Sequence, residues 1–371
     1  MKKNILSGFE RVVIKVGSAL LIDKTGHFNK KWLQEVSEEI ASLHKKGIEV
    51  LVVSSGAVAI GCILMDRKRS ELNLNDLQAT AAMGQTQLVL EWQDAFKEHE
   101  INVGQILLTP EDTENKKRFL NSKSTLESLI GFNVIPIINE NDTVATDELR
   151  YGDNDRLAAR VAQMVMADGL ILLSDVDGLY ESDPNINQHA RHIPVIEDVS
   201  DQIISMAGSK ESNFGSGGML TKLQAAKIAT HAGCVTIISD GTKEKPLKSL
   251  MQGGRYSLFS AKEKPMVLRK QWLVGYLDAK GALKIDNGAQ KALEEGGSLL
   301  PVGLLEVKGD FERGDVVNLI NSQGNEIGRG LAAYSSSEAN IIIGCQSDLI
   351  IERLGYKGRS EIVHRDDMVL F

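Results

Sequence analysis

A chain of 371 residues is long enough for two domains, each burying its own core. Its 42% hydrophobic and 25% charged residues describe an ordinary globular protein, and a formal net charge of -8 argues against nucleic acid or an anionic membrane as the main partner. No apolar run reaches transmembrane length, and the opening MKKNILSGFERVVIKVG is too short and too charged for a signal peptide, so a soluble cytoplasmic enzyme is expected.

Arg11–Val16 reads as a first buried strand that runs into Gly17 and Ser18. Lys15 lies beside this turn, and a glycine and a hydroxyl next to a lysine suit close approach to a phosphate. A helix over residues 29–46 follows. Asn29 can cap it, Trp32, Val36, Ile40 and Leu43 form its apolar stripe, and Gly47 ends it. A second strand over residues 48–54 leads straight into Ser55-Gly56-Ala57, a small-residue turn that opens another helix. Residues 75–98 read as a long helix, 103–109 as a strand and 116–130 as a helix.

The most informative stretch comes next, FNVIPIINENDTVATDELRYGDND over residues 132–155. A strand-like run over 133–138 ends in a segment crowded with short carboxylates and carboxamides. Parallel sheets bind ligands beyond the carboxyl ends of their strands. Asn139, Asn141, Asp142, Asp153, Asn154 and Asp155 are therefore expected at the mouth of a crevice. A helix over 154–166 and a strand over Gly169–Ser174 follow. GSGGMLTK, residues 215–222, then opens a helix over 218–232, and a strand over 234–239 closes this half. Here again glycines, a hydroxyl and a lysine meet a helix N-terminus, whose N–H groups complement a phosphate. G-x-x-x-x-G-K-[ST] occurs nowhere, so none of these is a Walker A loop. One glycine-rich turn is commonly mere punctuation, but three phosphate-suited segments at strand ends of one frame make a site. Alternating strands and helices predict an α/β fold, a mostly parallel sheet sandwiched by helices.

From about Lys262 the texture changes to short β-type runs separated by glycines. They cover residues 283–285, 303–307, 316–320 and 326–331, and predict a small β-rich barrel or sandwich. Cys62, Cys234 and Cys345 lie far apart in apolar runs, which suits buried thiols better than disulfides. The seven histidines show no paired-ligand spacing, so no structural metal is inferred.

These segments resemble the glutamate 5-kinases, a family of the amino acid kinase superfamily, over nearly the whole chain. The likeness rests on V-I-K-V-G-S at 13–18, S-S-G-A at 54–57, I-N-E-N-D at 138–142 and G-D-N-D at 152–155. L-S-D-V-D-G-L-Y at 173–180 and G-S-G-G-M-L-T-K at 215–222 complete it. G-D-N-D at this distance from I-N-E-N-D is specific, whereas K-x-G-S alone is not. The tail, ending in H-R-D-D-M at 364–368, looks like the PUA-type domain that many members carry. Ser174 and Ser216 stand where threonine is common and keep the hydroxyl, and there is a short N-terminal extension.

The resemblance implies an amino acid kinase domain over residues 1–262, a linker over 263–275 and a PUA-type domain over 276–371. It implies transfer of the γ-phosphoryl group of ATP, with Mg²⁺, to the side-chain carboxylate of L-glutamate, the first step of proline biosynthesis. Lys15 and Lys222 would flank the transferred group, and Asp155 would hold both lysines. Ser55, Gly56, Asn139, Asp142 and Asn154 would receive glutamate. Lys15, Gly17, Ser174, Asp175 and the run Ser216, Gly217, Gly218, Met219, Leu220, Thr221 and Lys222 would contact the nucleotide. No protein ligands for a metal are expected, because Mg²⁺ keeps most of its waters and rides on the ATP phosphates. The chemistry of the residues agrees. A carboxylate such as Asp142 suits an α-ammonium, and the Ser55-Gly56 turn can donate to a carboxylate.

The resemblance further implies feedback inhibition by proline, with Asp147, Glu148 and Arg150 in the interval that would host it. It also implies a homo-oligomer, a dimer or tetramer, and handover of a labile acyl phosphate to a reductase. Two alternatives compete. An RNA-binding factor could use the PUA-type domain, but residues 272–371 carry ten Lys/Arg against fifteen Asp/Glu, 10 - 15 = -5, and so lack a basic footprint. Related kinases act on N-acetylglutamate, aspartate or carbamate, and Asp142 speaks against an acceptor without an α-ammonium.

Overall fold

In the computed structural model, residues 5–23, 26–144, 154–184, 186–207, 218–267 and 279–371 are described. The chain divides into two units, Met1–Pro265 and Met266–Phe371. The first opens with β1 (Arg11–Val16), α1 (Ser18–Leu21), α2 (Lys30–Lys45), β2 (Glu49–Ser54), α3 (Ala57–Leu64) and α4 (Leu74–Lys97). It continues through β3 (Val103–Leu108), α5 (Pro110–Glu114), α6 (Lys116–Gly131), β4 (Ile135–Glu140), α7 (Asn154–Met164) and β5 (Gly169–Ser174). A two-stranded ribbon, β6 (Leu179–Tyr180) with β7 (His192–Ile193), precedes β8 (Val195–Ile196) and α8 (Asp201–Ser205). α9 (Met219–His231), β9 (Val235–Asp240), α10 (Pro246–Met251) and β10 (Tyr256–Phe259) complete the unit.

Eight strands form one sheet in the order β3-β4-β2-β1-β5-β9-β10-β8, and every pair is parallel except β9 with β10. A parallel sheet must be covered on both faces, and β1 shows how its sequence meets that demand. Val12, Ile14 and Val16 join Trp32, Val36 and Ile40 of α2 and Leu88 and Trp92 of α4 in one core. Val13 turns the other way, into a second core with Ala158 and Ala162 of α7 and Leu223 and Ala226 of α9. The strand period of two puts Lys15 on that second side, one step beyond Val13. Alanines on the facing sides of α7 and α9 let these helices lie close together beneath it.

The chain runs from β1 to β2, out to β3 at the edge and back to β4 between β2 and β3, then lays β5 on the other flank of β1. Strand order thus reverses around β1, where open α/β sheets bind ligands. The ladder aligns Val16 with Ser54 and Leu173, and Ser174 with Asp240, so the carboxyl ends share one rim. The fourth strand lies further along than the sequence suggests. Asn133 takes a left-handed φ of 60°, and pairing with β3 extends through Leu107↔Asn139 and Leu108↔Glu140. Asn139 is therefore a buried strand residue and not a loop residue.

The second unit is a five-stranded sheet in the order β12-β11-β13-β14-β15. Its strands are β11 (Gly281–Ile285), β12 (Leu304–Gly309), β13 (Val316–Ile320), β14 (Glu326–Leu331) and β15 (Met368–Leu370), and only β11 with β13 is parallel. Leu283, Ile285, Phe311, Val317, Leu319 and Tyr334 belong to its separate core. Helices over Asn287–Glu294, Ser336–Ile342 and Ile350–Leu354 lie between the strands and were not read from the sequence. All three cysteines are buried and free.

Candidate active site

Two ammonium groups converge on one carboxylate. Nζ of Lys15, from β1, lies 2.6 Å from Oδ1 of Asp155, and Nζ of Lys222, from α9, lies 3.1 Å from its Oδ2. Thr221 donates a further hydrogen bond to Oδ2 at 2.9 Å. All three charges are buried, with Asp155 only 1% exposed. Burial by itself pushes the Asp155 carboxyl up, but the charges and hydrogen bonds of Lys15 and Lys222 outweigh it and hold the group well below the usual carboxylate range. Two ammoniums against one carboxylate leave the cluster net positive. Gly17 lies beside it: a Cβ there would stand 3.8 Å from Nζ of Lys15, an ordinary contact distance. Among the described residues, no side chain caps the N-terminus of α9 at Gly218, which leaves its first-turn N–H groups without a capping acceptor.

Asn154 precedes Asp155 in the first turn of α7 and begins a second cluster. Its Nδ2 donates to Oγ of Ser55 at 2.7 Å and to Oδ1 of Asn139 at 2.8 Å. Nδ2 of Asn139 in turn donates to Oε1 of Gln85 at 2.7 Å. Gly56 holds the turn beside Ser55 at φ 112°, where a Cβ would come within 3.0 Å of Leu21, so only glycine fits without strain. Ser55 N donates to the Val16 carbonyl at 3.1 Å, which ties this turn to the end of β1. Asp142 lies on the turn after β4, half-buried, and makes no hydrogen bond to this chain of amides among the described residues. Burial pushes its carboxyl up to about 6, against the opposing charge of Arg69.

Ser174 ends β5, and its hydroxyl donates to Asp175 at 3.0 Å, with Asp175 itself exposed. Met219 and Leu220 occupy the first turn of α9 beside Thr221 and Lys222. Ser216, Gly217 and Asp153, with Asp147, Glu148 and Arg150, lie outside the described residues. Among the described residues, no group of three or more His, Cys, Asp or Glu could hold a metal ion.

Two residues of α4, Trp92 and Gln85, escaped the sequence reading of the site. Trp92 donates its indole N–H to Oγ of Ser54 at 3.0 Å, and Ser54 donates to the Ser55 carbonyl at 3.2 Å. Gln85 is the second. It interrupts an apolar stripe of Ala81, Leu88 and Trp92 at helical spacing, and that interruption was the readable signal.

The amino acid kinase family matches residues 10–240, and the PUA domain matches residues 281–354. The chain is 48% identical over 365 residues to glutamate 5-kinase of Agrobacterium fabrum, covering 98% of this chain and 94% of that one. It is also 48% identical over 368 residues to glutamate 5-kinase 1 of Rhizobium meliloti, covering 99% and 94%. Glutamate 5-kinase of Paramagnetospirillum magneticum is 48% identical over 369 residues, covering 98% and 99%. Among the described residues no helix is long and apolar enough to cross a membrane. With both domains matched and nearly half of its residues shared with these enzymes from end to end, the chain belongs to the glutamate 5-kinase family of amino acid kinases.

Proposed function

We infer that the protein transfers the γ-phosphoryl group of ATP to the side-chain carboxylate of L-glutamate, giving L-glutamyl 5-phosphate and ADP. The observation that carries this reading is the buried Lys15–Asp155–Lys222 cluster at the strand ends. A glutamate carboxylate is ionised at neutral pH, so no general base is needed. One of its oxygens attacks the γ-phosphorus as the bond to the β–γ bridging oxygen breaks. The obstacle is the meeting of two anions, which fixed positive charge relieves. Lys15 and Lys222 supply that charge, and Asp155 keeps both aimed before the substrates arrive. The N–H groups opening α9 receive nucleotide phosphate, with Gly17, Ser174 and Asp175 on the same side.

The acceptor lies against the Ser55-Gly56 turn, Asn139, Asn154 and Asp142. An α-ammonium at Asp142 supplies the partner that its half-buried carboxylate favours, and an N-acetylated acid has no such charge. Both oxygens of Asp155 are engaged by Lys15, Lys222 and Thr221, so this carboxylate is not a free metal ligand. Magnesium would ride in on the ATP phosphates as part of the MgATP substrate, and no step is assigned to a protein-held ion. Proline shares glutamate's α-carboxylate and charged α-nitrogen, and competes for the same end of the pocket.

Trapping the acyl phosphate with hydroxylamine tests the reading. Purified protein with MgATP and L-glutamate should form hydroxamate, and N-acetylglutamate and aspartate should not replace glutamate. Product from another acid, with none from glutamate, would overturn the substrate while leaving the fold intact.

A further inference from the structure

The acceptor side of the site rests on α4, which supplies Gln85 and Trp92. α4 crosses α3 almost backbone to backbone: a Cβ on Gly84 would lie 1.9 Å from the Ala57 carbonyl oxygen, and one on Gly61 2.0 Å from that of Thr80. Gln85 follows Gly84 at this crossing and accepts a hydrogen bond from Asn139. Trp92, two turns further along, grips Ser54 from the same helix.

Gln85 is 7% exposed and lies in the apolar stripe of α4. A leucine or methionine would fill that volume without the cost of burying an amide. Its Oε1 accepts from Nδ2 of Asn139, whose Oδ1 accepts from Nδ2 of Asn154, which also donates to Ser55. Each bond dictates the orientation of the next carboxamide, because an amide presents donors on one side and an acceptor on the other. The relay is open at both ends: Nε2 of Gln85 and Oδ1 of Asn154 are each buried and without a hydrogen-bond partner among the described residues. A buried acceptor left open beside an amino-acid pocket is complementary to an ammonium donor. If Asn139 and Asn154 turned over, the same position would present an NH₂ group and repel that ammonium.

We propose that Gln85 is a positioning residue for the acceptor, fixing the polarity of the Asn139–Asn154–Ser55 relay so that Asn154 presents an acceptor to the α-ammonium. This rests on the assignment of the acceptor subsite given above. It predicts a division between substrates that general destabilisation of α4 would not produce.

The test uses full-length protein carrying Gln85→Met, Gln85→Glu, Asn139→Ala or the Gln85→Met/Asn139→Ala pair, with KM for glutamate and for ATP measured beside thermal unfolding. Gln85→Met should raise the glutamate KM about tenfold, the effect of one lost neutral hydrogen bond, and leave the ATP KM within about twofold. Gln85→Glu keeps an acceptor for Asn139 and cannot reverse the relay, so it should recover most of the loss. In the double variant the second substitution should add little, because both break the same relay. Wild-type kinetics in Gln85→Met, or a parallel rise in both KM values with a lower Tm, would overturn the proposal. Should Gln85→Met not fold, Gln85→Asn, which keeps an amide but falls short of Asn139, takes its place with the same expectations. If the wild type accepts another acid in place of glutamate, the substrate assignment fails. The same division, measured with that acid, then still decides the role of Gln85.

Discussion

Asp155 has no chemical step of its own, yet two lysines depend on it. Replacing it with asparagine would remove the carboxylate that both buried ammoniums, Lys15 and Lys222, contact. Breaking a buried pair from one side costs about 3–5 kcal/mol. Asp155→Asn should therefore lower Tm by several degrees and cut kcat at least about a hundredfold, read by calorimetry and hydroxamate formation. A folded variant with near-normal turnover would remove Asp155 from the site. The folded-state pKa of Asp155 is depressed, so the stability it adds is present above the ordinary carboxylate range and lost as pH falls below it. Asp142 behaves in the opposite way. Burial pushes it up to about 6, so below that pH it is largely protonated and no longer offers charge to an α-ammonium. Glutamate kcat/KM should fall as pH drops through about 6, a region well above glutamate's own carboxyl titrations near 4. Asp142→Asn should flatten that limb of the profile while raising KM at neutral pH. A limb that survives in the variant would have to come from another group.

At the scale of elements, the site is held by a close crossing of α3 and α4, and a single methyl group can test it. Gly84→Ala would press a Cβ onto the Ala57 carbonyl at 1.9 Å, a backbone contact that yields only if the helices part. It should cost about 1–3 kcal/mol and raise the glutamate KM, because the Ser55-Gly56 turn begins α3. Gly131→Ala, at the end of α6, meets nothing within 4 Å and should be close to neutral in the same melts. If both alanines behaved alike, the crossing would not support the pocket. The comparison also shows what a sequence carries and what it hides. Strands β1, β2 and β5 were legible because a strand buried on both faces must be a continuous apolar run. Asn154 and Asp155 were legible because a run of polar groups after such a strand has few structural uses. Gln85 was legible only as an amide interrupting an apolar stripe, since one amide in a long helix gives no sign of which neighbour it will meet. That partner is set by the glycine crossing and by the two extra residues of β4, both products of tertiary pairing. The short helices of the second unit escaped for a related reason, because their few apolar residues blend with those of the flanking strands.

At the scale of the whole molecule, the two units keep separate hydrophobic cores, and every candidate site residue lies in the first. The second unit has an excess of acidic over basic residues, fifteen Asp/Glu against ten Lys/Arg across residues 272–371. Binding to nucleic acid draws heavily on released counterions, and a domain with a net negative charge has little to release them with. Full-length protein should therefore show no salt-sensitive, submicromolar retention of tRNA in a filter-binding assay; such retention would restore a role in RNA recognition. Catalysis should be separable from this unit. Residues 1–265 contain the whole eight-stranded sheet, both of its cores and the lysine pair with Asp155. Expressed alone, this segment should unfold cooperatively and keep kcat/KM for glutamate within about threefold of the full chain, a change in transition-state stabilisation below about 1 kcal/mol. A well-folded fragment with a hundredfold loss would mean that the second unit completes or orders the acceptor pocket. A fragment that fails to fold would contradict the independence of the cores themselves, so circular dichroism and turnover must be measured on the same preparation.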